Sequence, residues 1–248
     1  MRRRKSAKVT YDITGKVLVK YLDKTAVSFT VPDGIEKIAD RAFAECRNIK
    51  SVKMTDSVTE IGDGAFYNCR SLETVKLSKN INKIGANAFA YCVSLKIMKL
   101  PDGLIELSDY LFHKCKLLES VRVSEKTKII GNAVFCDCKS LRTIKSTDNI
   151  VSVGFSAFEN CVSLKAFDFS SGIKEIGNRA FLNCGVLDSI KIPAGITKIN
   201  SYTFAGCKSL KPIKLPESVV EIDNKAFYGC KLSKSFKLPD SVRVADAF

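Results

Sequence analysis

The chain has 248 residues and carries 40 Lys and Arg against 26 Asp and Glu, with one histidine, ten cysteines and no tryptophan. A single histidine excludes a multi-histidine metal centre, and no apolar run is long enough for a membrane-spanning helix. The formal charge of +14 favours acidic partners through long-range steering, and it serves solubility equally well.

Residues 1–8 hold five basic side chains, which reads as a solvated, disordered arm or as a nuclear-localisation signal. Met1-Arg2-Arg3-Arg4-Lys5 would suit the charged start of a secretory leader, but no apolar core follows it. As given, the sequence reads as cytoplasmic or nuclear, or as a cell-surface protein that is trimmed or exported unconventionally. No Asn-x-Ser/Thr acceptor occurs, which favours an intracellular setting. Residues 9–34 alternate apolar and polar positions in Val17–Tyr21 and again in Ala26–Val31, around a polar turn at Asp23-Lys24. That pattern predicts a β-hairpin cap.

From residue 35 to 242 one unit recurs nine times. A phenylalanine returns every 23 residues, at Phe43, Phe66, Phe89, Phe112, Phe135, Phe158, Phe181, Phe204 and Phe227, and a cysteine follows each of them by three. Only Cys136 lies outside that series. Self-similarity at this period marks a solenoid. Within a unit such as 61–77, Phe66, Cys69 and Leu72 step by three and predict a short helical or 3₁₀ turn. Val75 and Leu77 step by two and predict a strand. The glycine of the recurrent Ile-Gly pair (Gly62, Gly85, Gly131, Gly154, Gly177) reads as a turn residue. One coil cannot bury its own apolar positions, so stability must come from stacking on its neighbours.

The array has weak points. Ser146 takes a normally apolar strand position, Leu232 sits one place early, and residues 243–248 begin a further unit in which Phe248 falls two positions short. An end left open there would be covered by more of the same array or by a second copy of the chain, through homo-oligomerisation. The nine in-register cysteines would stack within disulfide range, but an odd number of parallel, inward-pointing thiols reads as a reduced, buried ladder.

The wording of the unit, as in Ile84-Gly85-Ala86-Asn87-Ala88-Phe89 and Cys207-Lys208-Ser209-Leu210-Lys211-Pro212-Ile213-Lys214-Leu215-Pro216, resembles the BspA-like leucine-rich-repeat family over roughly residues 28–242. The resemblance implies a right-handed leucine-rich-repeat coil with a parallel β-sheet on its concave face. It also implies a non-enzymatic binding or adhesion scaffold.

The candidate binding residues occupy the outward strand position ten residues after each phenylalanine: Lys53, Lys76, Lys99, Arg122, Lys145, Lys191, Lys214 and Lys237, interrupted by Asp168. Two residues earlier the outward position is mostly small, with Ser51, Thr74, Ser120, Thr143, Ala166, Ser189, Pro212 and Ser235, and with Ile97 as the bulky member. A floor of short side chains beside a row of cations suits an acidic protein surface or a sulfated glycan. Neither position holds an aromatic residue, so base stacking with nucleic acid is disfavoured, although backbone contact stays open. An intracellular or nuclear module binding acidic protein or nucleic-acid backbone is the alternative reading. The sequence offers no catalytic motif, no cofactor loop and no metal-ligand spacing, and His113 is expected on the exposed convex side.

Overall fold

The computed structural model describes residues 11–145, 147–211, 213–232, 236–239 and 242–248. The basic arm and the positions of Ser146, Pro212, Lys234 and Ser235 lie outside them. The chain winds as a β-solenoid in which successive 23-residue coils add short strands to two parallel rows, the first of them ending at Ser189–Ile190 among the described residues. The first row begins with Ser28–Thr30, Ser51–Lys53 and Thr74–Lys76 and continues to Ser189–Ile190. The second begins with Val17–Tyr21, Lys37–Ile38 and Glu60–Ile61 and ends at Arg243–Val244. Register is strict: Val52 pairs with Val75, and Ile38 with Ile61, each 23 residues on.

The core is a set of ladders running along the solenoid axis. The nine repeat phenylalanines are at most 1 % exposed, and from Phe43 to Phe227 their rings stack at 4.8–5.7 Å. Tyr21 extends the stack at one end, 4.9 Å from Phe43. At the other end Phe248 lies 6.0 Å from Phe227. One of the two missing residues is lost before Arg243, which pairs with Glu221 22 residues back, and the other between Val244 and Phe248, and the ring still reaches its ladder.

Each ladder cysteine from Cys69 onward donates its thiol to the carbonyl of the phenylalanine in the preceding coil, for example Cys69 Sγ to Phe43 O at 3.0 Å and Cys161 Sγ to Phe135 O at 3.1 Å. All ten cysteines are free. Burial pushes their thiols up, that of Cys69 to about 12, so the ladder is a protonated donor array. The cysteine is the residue of the unit small enough for the core and still able to satisfy a buried carbonyl.

Three expectations need correction. The hairpin exists, but it pairs Tyr11–Thr14 with Val17–Tyr21 around Gly15, whose φ is +58°. Residues 28–30 instead open the first row, with Phe29 opposite Val52, because they already fit the strand of the repeat. The helical turns are absent among the described residues. Around Phe66, the amides of Gly64, Phe66 and Asn68 donate to the next coil at 2.8 Å each, and only the amides between them close local turns. Residues two before and two after each phenylalanine have positive φ, from +50° to +72°, which breaks any helical run.

The third correction concerns the Ile-Gly glycines, which are not positive-φ turn residues. A Cβ on Gly154 would lie 2.7 Å from Gly131 C and 2.9 Å from Asn132 N, so these glycines allow neighbouring coils to approach. The left-handed positions are filled by glycine in three places, Gly64, Gly206 and Gly229, and by other residues elsewhere.

Candidate functional site

The coil geometry decides which way each strand residue faces. In the first row the central residue turns into the core, as Val52, Met98 and Val121 do at 2 % exposure or less. The residues on either side of it face outward. All eight predicted cations are exposed. The structure places Lys53 directly beside Lys76, and Arg122 between Lys99 and Lys145. Beyond Ser189–Ile190 the first row makes no regular pairing among the described residues, so no strand register fixes Lys191, Lys214 and Lys237 beside the others. Asp168 separates the two groups.

From Lys53 to Lys145 the line carries charge of one sign. Among the described residues none of the eight cations has an acidic partner within 4.0 Å. Three positions upstream, the mixed row is neutralised in two places: Lys50 pairs with Glu73 at 3.5 Å, and Lys211 with Asp188 at 3.9 Å.

The second strand row offers the sharper comparison. At its two ends the outward positions alternate in sign, with Ile129 and Ser152 between them; Glu60 lies between Lys37 at 3.0 Å and Lys83 at 3.2 Å. Further along, Glu221 lies between Lys198 at 3.0 Å and Arg243 at 4.0 Å. The hydrogen bond that Lys37 donates to Glu60 holds the Glu60 carboxyl below its ordinary range and raises the Lys37 ammonium. This alternation is legible in the sequence at fixed register, but it was not part of the sequence reading. The coil thus tolerates a neutralised charge ladder on one sheet and carries a same-sign ladder on the other. Adjacent like charges at strand spacing repel by roughly 1 kcal/mol in water-like dielectric, a cost that nothing in the coil requires.

Where the first row passes into its exit loops, an open groove of about 630 Å³ runs across four coils, with Lys53, Lys76, Lys79 and Lys99 along it and Ser51 and Thr74 on its floor. Beside it Ile97 is 68 % exposed, the most exposed large apolar side chain of the strand face. His113 departs from expectation. It is half-buried with its Nδ1 unpartnered, and its ring meets Tyr91 and Tyr110 edge-on at 5.4 and 5.7 Å. Among the described residues no cluster of three metal-ligating side chains occurs, and no helix is long and apolar enough to cross a membrane.

Comparison with known proteins bears on the repeat fold. A structure of a leucine-rich repeat protein from Bacteroides ovatus superimposes with a TM-score of 0.71 at 26 % identity, over 88 % of this chain and 65 % of that one. The chain thus spans about two thirds of the length of that relative. A leucine-rich repeat protein from Bacteroides capillosus shares 28 % identity over 46 % of this chain and 97 % of its own, with a TM-score of 0.39. No curated protein matches. The repeat signature described as the BspA type leucine-rich repeat region matches in six copies over residues 21–142 and 128–247. With the repeat recognised over nearly its whole length, the chain belongs to the BspA-type leucine-rich-repeat family.

Proposed function

We propose that this repeat scaffold is a non-enzymatic, adhesion-type binding protein whose first strand row recognises an acidic macromolecule, in the first place an acidic protein surface. The observation that carries the reading is the same-sign line from Lys53 to Lys145, which makes no ion pair among the described residues, whereas Lys50 pairs with Glu73 and Glu60 with Lys37 and Lys83. A ligand carboxylate or sulfate line would supply the counter-charge that the coil withholds, and the short side chains at Ser51, Thr74, Ser120 and Thr143 would let it approach the backbone. Ile97, exposed in the middle of the line, favours protein over a purely saccharide ligand, because a protruding apolar side chain among charges is the kind of anchor a protein surface buries. A sulfated glycan is the second reading, supported by the regular charge spacing along one axis.

The test is retention on immobilised heparin, used as a polyanion that engages either mode. Replacing Lys76, Lys99, Arg122 and Lys145 with Ser should lower the salt needed for elution while leaving thermal unfolding unchanged. Unaltered retention would return the line to a role in solubility.

A further inference from the structure

The side of the solenoid formed by the turns around each phenylalanine differs from both strand faces. It carries Tyr67, Tyr91, Tyr110, Tyr202 and Tyr228, whereas the outward strand positions carry no aromatic residue. Cations lie against these rings: Arg41 on Tyr67 at 5.4 Å, Lys114 on Tyr91 at 5.2 Å, and Arg179 and Lys225 on Tyr202 at 5.4 and 5.9 Å.

At the position two residues after the phenylalanine, the first seven coils place a side chain over this surface: Glu45, Asn68, Tyr91, Lys114, Asp137, Asn160 and Asn183. The next two coils have Gly206 and Gly229 there, with φ of +72° and +71°. Where those side chains are missing, a cleft of about 470 Å³ opens between Tyr202 and Tyr228.

We propose that this cleft is a second ligand site, independent of the strand face, and that it takes a carboxylated pyranose such as a hexuronic or sialic acid residue. Lys225 lies over one face of the Tyr228 ring at 5.7 Å, and Tyr228, 57 % exposed, offers its remaining surface as an apolar platform for the C–H face of a sugar ring. Arg179 and Lys208 line the cleft, and no acidic side chain lines it among the described residues, so its charge suits a carboxylate. The amide of Asn183 donates to Asn160 at 2.9 Å and leaves its oxygen over Gly206, where a Cβ would come within 2.5 Å of it. That oxygen accepts from a sugar hydroxyl. Sites of this size, with an apolar surface and a few convergent polar groups, are the usual form of small-ligand pockets.

Because the chain lacks tryptophan, its tyrosine emission can follow binding directly, with calorimetry as the second readout. Glucuronate and N-acetylneuraminate are titrated separately, against glucose as the neutral control and phosphotyrosine as the competing anionic aromatic. One or both acids should bind roughly tenfold or more tighter than glucose, and which one binds distinguishes a uronate polymer from a sialylated glycan. Tyr228→Ala and Gly229→Asn should each weaken binding by roughly tenfold or more. Gly229→Asn restores a side chain that three other coils carry at this left-handed position, where Asn is among the best tolerated residues, and its Cβ would meet nothing closer than 3.9 Å, so the fold should be kept with a small drop in the unfolding temperature. The four-site serine variant of the strand face should bind the sugar as the natural chain does. No binding of either acid at about 10 mM, equal binding of glucose, preference for phosphotyrosine, or undiminished binding by Gly229→Asn would each overturn the proposal.

Discussion

The thiol ladder makes the fold alkali-labile, and the size of the effect follows from burial. Cys69, Cys92, Cys115, Cys138, Cys161, Cys184 and Cys207 are at most 1 % exposed, and burial raises every one of their thiols above the ordinary value. A group whose folded pKa is raised contributes stability that is whole below its unfolded pKa and is lost as pH rises toward the folded one. The unfolded thiol titrates near 8.5, so between pH 7 and pH 9.5 each buried thiol withdraws about 1.4 kcal/mol from the folded state. Seven such thiols withdraw about 10 kcal/mol, comparable to the whole stability of an ordinary domain. Urea midpoints followed by circular dichroism in reducing buffer should therefore fall steeply above pH 8.5, with unfolding complete without urea before pH 10. Cys115→Ala should reduce the slope by about one proton. A midpoint that stays level to pH 9.5 would show that the thiols ionise in place, and the buried ladder would be wrong.

Two further predictions concern packing. Gly154→Ala should cost about 1–3 kcal/mol, because its Cβ would press on the backbone of the preceding coil, whereas Gly185→Ala, with open space at its Cβ and no positive φ, should be neutral or gain about 0.4–1 kcal/mol. Urea titration of the two variants measures the difference directly. Phe135→Ala should cost about 3–5 kcal/mol, since the ring is fully buried and stacks on Phe112 at 5.6 Å and Phe158 at 5.3 Å. Hydrogen exchange should show the loss concentrated in the adjoining coils, as nearest-neighbour coupling in a repeat array requires.

The repeat was legible because a side chain that must stack on its own copy cannot change without breaking the ladder. Phe66, Cys69, Leu72 and Val75 could be assigned to the core from spacing alone. What spacing could not show was the partner of each group. The cysteine series reads as buried thiols, but its hydrogen bond to a phenylalanine carbonyl depends on the offset between coils. Gly62 and Gly154 read as turns because glycine has two uses, conformational freedom and close approach, and only the inter-coil distance separates them. The hairpin was misplaced because Ser28–Thr30 alternates like a cap strand and like a repeat strand at once. Of the two candidate sites, the cation line was visible as a column of like residues. The Tyr202–Tyr228 cleft was not, because it is made by the missing side chains at Gly206 and Gly229.

The central claim, that position rather than net charge makes the Lys76–Lys145 line a binding surface, is tested by a matched-charge comparison. One variant replaces Lys76, Lys99, Arg122 and Lys145 with Ser; the other replaces Lys126, Lys128, Lys139 and Lys174, which are exposed elsewhere on the coil, with Ser. Binding to a soluble polyanion is measured across a range of salt concentrations. The account predicts that the first variant loses affinity and that its salt dependence falls by roughly one counterion per removed contact, while the second keeps most of both. Equal losses in the two variants would contradict it.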